Sequence, residues 1–200
     1  MSNKTNVKSK FFEPQGVDAD QVSASGSATT LVIADGGPYG NLTETITVTS
    51  PSGNNAGITF SIVGTDGNGD AQTETGVTGP GAGLTVSFTD KYKTVTSITA
   101  SGGITTSISA GILGTGDLTG QVFLGRTRIR GITGTSKAVA GNITFTNTSI
   151  TGTTLLTIPT TGAVSSIDPY IPDNGVLFNA GAYINLTAAD ITGVTVYYDG

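Results

Sequence analysis

The sequence predicts an all-β protein, with two small antiparallel β-sandwich or jelly-roll-like domains preceded by an extended N-terminal arm. Three observations lead there. Of 200 residues 30 are Gly and Thr is more frequent still, while charged residues make up 12% and apolar residues 36%. That composition is poor in helix formers and rich in β-branched side chains that fit a pleated surface. Apolar residues recur at every second position through most of the chain, the period of a strand with one buried face. Clusters of Gly, Asn, Asp and Pro interrupt these runs at about one strand length, the spacing of a sandwich or barrel.

Residues 1–27 come first. They carry Lys4, Lys8 and Lys10 and little apolar content beyond Phe11, Phe12, Val17 and Val22. Such a stretch cannot bury enough surface to offset its own ordering entropy, so it is expected to lie as an arm on a neighbouring subunit. Fully extended, it would reach on the order of 80 Å.

A first domain is expected over residues 28–116. In LTETITVTS, Leu42, Glu44, Ile46 and Val48 share one face while Thr43, Thr45, Thr47 and Thr49 share the other. ITFSIV turns Ile58, Phe60 and Ile62 inward, GLTVSFT turns Leu84, Val86 and Phe88 inward, and GITTSISA does so with Ile104 and Ile108. The run LGTGDLTG, Leu113 to Gly120, has the small residues of a hinge. A second domain over residues 117–200 follows, with Asn179 to Gly181 expected as a hairpin turn and Val194, Val196 and Tyr198 on one face of the last strand. A single sandwich of many strands is the alternative organisation.

Composition removes most chemistry. The chain has no Cys and no His, so disulfides, thiol catalysis and the usual general base and neutral metal ligand are absent. No cofactor is expected. A carboxylate-pair hydrolase would need only the 14 Asp and Glu residues, but no Trp is present to stack on a sugar. The segment TDGNGDAQTE begins like a calcium loop, with oxygen ligands at Asp66, Asn68 and Asp70. The sixth position from Asp66 is Ala71 and the twelfth is Val77, where such a loop needs Gly and a bidentate carboxylate. A hairpin turn is therefore the expectation. Several Asn-X-Thr and Asn-X-Ser triplets match the glycosylation pattern, as a Thr-rich chain does by chance.

A net charge of −5 disfavours nucleic acid and anionic membranes as partners. The chain has no apolar run long enough for a bilayer and its start lacks the hydrophobic segment of a signal peptide, so residence in a cytosol is expected. The few cations cluster. Arg126, Arg128 and Arg130 alternate along TRIR and are read either as a water-facing strand or as a docking strip for an acidic protein surface, since guanidinium groups fork carboxylates. With Lys4, Lys8, Lys10, Phe11 and Phe12 of the arm they are the candidate partner-binding residues. A glycan-binding surface would instead gather exposed aromatics such as Tyr39, Tyr170 and Tyr183.

The segment ITVTSPSGNNAGITFSIVGTDGNGDAQTETGVTGPGAG, followed by YKTVTSITASGGITTSISAG, resembles small structural proteins of tailed bacteriophages. TRIRGIT, TLLTIP, NGVLFNAGAYINLT and VTVYYDG are similar to a further β module of phage virion proteins, and together the likeness spans most of residues 40–200. The resemblance implies a virion component without catalysis, most simply a capsid decoration (cement) protein or head-fibre base assembled in the bacterial cytosol. Such proteins sit on the outer capsid surface, commonly as trimers, bridging major capsid protein subunits and sister copies. A tail, neck or fibre component that binds a host receptor or glycan is the alternative.

Overall fold

The computed structural model describes residues 7–200, among which 57% of the structure is strand and none is helix. In chain order the first strands are β1 (Val7–Phe12), β2 (Asp18–Gly26), β3 (Glu44–Ser50), β4 (Thr59–Thr65), β5 (Ala71–Thr78), β6 (Leu84–Tyr92), β7 (Thr94–Ala100) and β8 (Ile108–Ile112). They are followed by β9 (Asp117–Phe123), β10 (Thr127–Ser136), β11 (Asn142–Asn147), β12 (Thr153–Pro159), β13 (Ser166–Ile167), β14 (Val176–Phe178), β15 (Ala182–Thr187) and β16 (Ile191–Asp199). Every pairing between them is antiparallel, as the expected fold class requires.

The chain divides into two compact units. A central unit comprises Gln15–Tyr39 and Thr43–Thr115; a C-terminal unit comprises Gly116–Gly200 together with Gly40–Leu42 and the described residues up to Pro14. In the central unit a sheet of order β2-β8-β3-β6 faces one of order β5-β4-β7. Ile46, Val48, Phe88 and Ile108 from the first sheet meet Phe60, Ile62, Val95 and Ile98 from the second in one core. In the C-terminal unit, β1-β16-β10, with β13 and β14 both on β10, faces β12-β11-β15-β9. Its core joins Phe12, Ile129, Ile132, Val194 and Val196 to Leu118, Ile143, Phe145, Ile184 and Leu186. Each unit is thus a β-sandwich, formed because a sheet with one apolar face must bury it against another.

Residues 7–26 correct the expected arm. β1 runs along β16 in unbroken register from Val7↔Asp199 to Phe12↔Val194, and β2 pairs with β8 from Asp18↔Ile112 to Gly26↔Ile108 with two register breaks. The segment is polar, yet Phe12 and Val22 each reach complete burial in a different core. The edges of β16 and β8 supply the backbone hydrogen bonds that it could not make alone. Residues 1–6 of that arm, Lys4 included, lie outside the described residues. A second correction concerns Asn179 to Gly181. β14 and β15, which flank it, do not pair with each other, and the turn carries the chain from one sheet of the sandwich to the other.

Side chains close the sandwiches along their edges. In the central unit Glu74 of β5 accepts hydrogen bonds from the backbone N–H groups of Thr89 and Asp90 on β6 at 2.9–3.0 Å, and Gln72 Nε2 donates to Lys91 O at 3.0 Å. On the opposite side, the segment before β3 bonds both sheets. Leu31 N–H donates to Ile98 O of β7 at 3.0 Å, and Ala34 N–H donates to Val22 O of β2 at 2.8 Å. These bonds cover the β5 to β6 and β7 to β2 edges of the central unit.

Candidate interaction surface

β1 presents different residues on its two sides. Phe12 points into the core with no exposure, and Lys8 and Lys10 alternate with it on the same side. Lys10 Nζ sits 5.5 Å from the Phe12 ring centre and donates to Gln121 O of β9 at 2.6 Å. Lys8 Nζ sits 5.8 Å from the ring centre of Phe123. Lys10 thus braces the sandwich rim within the chain, while Lys8 lies exposed beside the Phe123 ring.

The other side of β1 faces outward. Val7 is 47% exposed and Phe11 48% exposed. Phe11 lies over Gly193 of β16, where a Cβ would stand 2.7 Å from the ring. Only glycine leaves room for the ring to lie flat there. The register sets Thr195 and Thr133 beside Phe11, and Tyr197 beside Ser9, with Thr133 Oγ1 donating to the Tyr197 hydroxyl at 3.5 Å.

The arginine run is only partly a strand. Arg126 is exposed and precedes β10, which begins at Thr127. Arg128 is half-buried, and its Nη1 donates to Asn174 O at 2.9 Å. Arg130 falls in the register break between Ile129 and Gly131, with its Nε 3.8 Å from Asp199 Oδ1. The bulge turns Arg130 toward an acid of its own chain and sets it apart from Arg126 and Arg128. They line a small depression with Thr127, Leu177 and Asp199.

The calcium-like loop is a turn. Asp66 Oδ1 accepts the N–H groups of Asn68, Gly69 and Asp70 at 2.8–2.9 Å, and β4 and β5 pair up to Thr65↔Ala71 on either side. A carboxylate used in this way caps the loop backbone. No group of three or more Asp or Glu placed to hold a metal occurs among the described residues. Of the three tyrosines, Tyr39 and Tyr183 are buried and Tyr170 is 84% exposed. Tyr39 donates to Asp35 O at 3.1 Å, and burial, with Asp35 and Glu44 nearby, pushes its phenol far above the usual range.

Two further polar features stand out. On the outer face of the sheet β12-β11-β15-β9, Asp117, Thr119, Asn142, Thr144, Asn185 and Thr187 line a shallow depression of about 340 Å³. Thr187 Oγ1 donates to Asp117 Oδ1 at 2.7 Å, and Asn185 Oδ1 is covered without a hydrogen bond. The second is Glu44, which is fully buried at the start of β3 opposite Tyr92. Burial pushes its carboxyl up to about 7, against the pull of the backbone N–H of Gly114, the Lys91 ammonium and the N–H groups of Gln15 and Thr45. These donors lie near enough to favour the ionised form, yet neither carboxyl oxygen receives a hydrogen bond of full geometry.

No protein-family model, no curated protein and no solved structure matches this chain.

Proposed function

We propose that this protein works by adhesion, as a tailed-phage virion component that decorates and stabilises the outer surface of the head. The observation that carries this reading is the outer face of β1, β16 and β10. It sets the half-exposed Val7 and Phe11 beside Tyr197, with Arg126 and Arg128 near one end. An apolar centre with aromatic side chains and a few arginines at the margin is the composition of a protein–protein interface. The partners are the major capsid protein, through an acidic surface, and sister copies in a homo-oligomer such as a trimer. A standard contact of roughly 1,600 Å², repeated over a lattice, would gain stability from avidity as well as area.

Sedimentation with phage heads that lack the chain tests this. In the variant carrying Phe11→Ser, Arg126→Glu and Arg128→Glu, whose circular dichroism must match wild type because Arg128 is half-buried and bonded to Asn174 O, binding falls at least about tenfold. Equal sedimentation of wild type and variant contradicts the reading.

A second reading rests on the depression around Asn185. Its hydroxyls, amides and one carboxylate are groups that read sugar hydroxyls. In that case the chain is a tail, neck or fibre component that binds a host glycan. A glycan array distinguishes the two: hits lost in Asn185→Ala favour the glycan, and no hits remove it.

A further inference from the structure

We propose that β1 is an exchangeable strand: in the homo-oligomer it leaves its own C-terminal unit and fills the same socket in a sister copy. The inference rests on the reading that sister copies meet, and it supplies the element that joins them.

The socket is built for two rings. Phe11 and Phe12 are consecutive on β1 and point to opposite sides of the sheet. Each meets a glycine inside a strand. A Cβ on Gly193 of β16 would stand 2.7 Å from the Phe11 ring; one on Gly120 of β9 would stand 2.7 Å from the Phe12 ring, where Asn41 O crowds it as closely. Neither glycine lies in the left-handed region, so packing, and not backbone conformation, calls for the missing side chains. Polar anchors complete the socket. Lys10 Nζ donates to Gln121 O at 2.6 Å, Asn41 Nδ2 to Phe11 O at 2.9 Å and Glu13 N–H to Gly40 O at 3.0 Å.

All of these partners, with the whole of β16, belong to the C-terminal unit, whereas the chain passes from β1 into the central unit at Gln15. The nearest covalent tie between β1 and its socket thus runs through the other unit. β1 is also an edge strand, paired in its sheet with β16 alone, so it can leave without breaking another ladder. A sister copy offers an identical socket, and the same contacts form in trans. The connection of residues 13–17 between β1 and β2 is short and stiffened by Pro14, a kind of hinge that favours exchange over closure. β1 and β16 also lie at opposite ends of the described chain, so pairing within one copy closes a loop of nearly its full length. A tethered strand meets its own socket at an effective concentration on the order of millimolar. Copies held side by side present theirs at a similar level, which tips the balance to exchange.

A disulfide reports where β1 sits, because the chain has no Cys. Ser9 and Tyr197 face each other in the β1–β16 ladder, so the full chain carrying Ser9→Cys and Tyr197→Cys closes a bridge within one chain or between two. Unfolded, refolded at protein concentrations rising to roughly 1 mM and then oxidised, it is expected to shift from monomer to covalently linked chains on a non-reducing gel, at least about tenfold above Ser9→Cys alone. A bridge confined to single chains at every concentration overturns the exchange. If that pair fails to fold, Val7→Cys with Asp199→Cys, another register pair, decides in the same way. Intrachain bridges alongside wild-type binding to heads strike the exchange alone, and interchain bridges with no wild-type binding strike the decoration alone.

Discussion

In the C-terminal unit a cation closes the rim of the sandwich, with Lys10 of β1 reaching Gln121 O of β9; in the central unit an anion does so, with Glu74 of β5 accepting the N–H groups of Thr89 and Asp90. Both charges sit at an edge, where water still reaches them and a backbone partner is near. Glu44 lacks the first advantage: it lies inside the central unit with no exposed surface. The contrast teaches that the position of a charge within a sandwich, more than its sign, decides whether it braces the fold or makes it titrate.

The comparison is broken most severely at Phe12, which ties β1 into the C-terminal core with no exposed surface. Phe12→Ala should cost about 3–5 kcal/mol, read by denaturant unfolding. A loss near zero would mean that β1 is dispensable and would restore the arm.

The next effect is the pH dependence of the central unit. Glu44 has a folded pKa of about 7 against an ordinary 4.5, so the folded state holds the proton more tightly than the unfolded state. Stability is then greatest below about 4.5, falls as pH rises toward 7 and levels off above it, for a total of about 3 kcal/mol. Glu44→Gln should flatten that slope in urea titrations at a series of pH values. A slope that survives the substitution belongs to another group.

Glu74→Ala leaves two edge N–H groups without their acceptor and should cost about 1–2 kcal/mol, seen as a lower urea midpoint. Smallest is Asp66→Ala, which removes the loop cap for about 1 kcal/mol. Millimolar calcium should leave the melting temperature of the wild type unchanged, and a calcium-dependent rise would reinstate the metal reading of that loop.

Strands were legible wherever the two-residue period was strong. LTETITVTS put Ile46 and Val48 on one face with Glu44, and all three are buried. The sequence therefore already held the anomaly, a carboxylate on an apolar face, although nothing in it told that the far side was closed as well. ITFSIV turned Phe60 and Ile62 inward as expected, and the hairpin at Asp66 followed from its turn residues. Leu84, expected inward, is 59% exposed because it sits at the end of the ladder with β3, opposite Ser50.

β1 and β2 were not legible. Each is a polar strand anchored by few apolar residues, and the edge that completes β1 belongs to the last strand of the chain. Pairing so distant in sequence leaves no local pattern. Lys8 and Lys10 read as partner-binding residues of an arm because composition does not reveal that β1 meets an edge of its own chain. The arginine run hid its bulge for a similar reason, since alternation in TRIR assumes an unbroken register that β10 does not keep at Arg130.

The adhesive role is tested most directly by heating phage heads and recording the temperature at which they release their DNA, with the chain absent, with wild type and with the variant carrying Phe11→Ser, Arg126→Glu and Arg128→Glu. The account predicts that wild type raises the release temperature and that the variant leaves it at the value of bare heads. Heads protected equally by both proteins, or by neither, would contradict it.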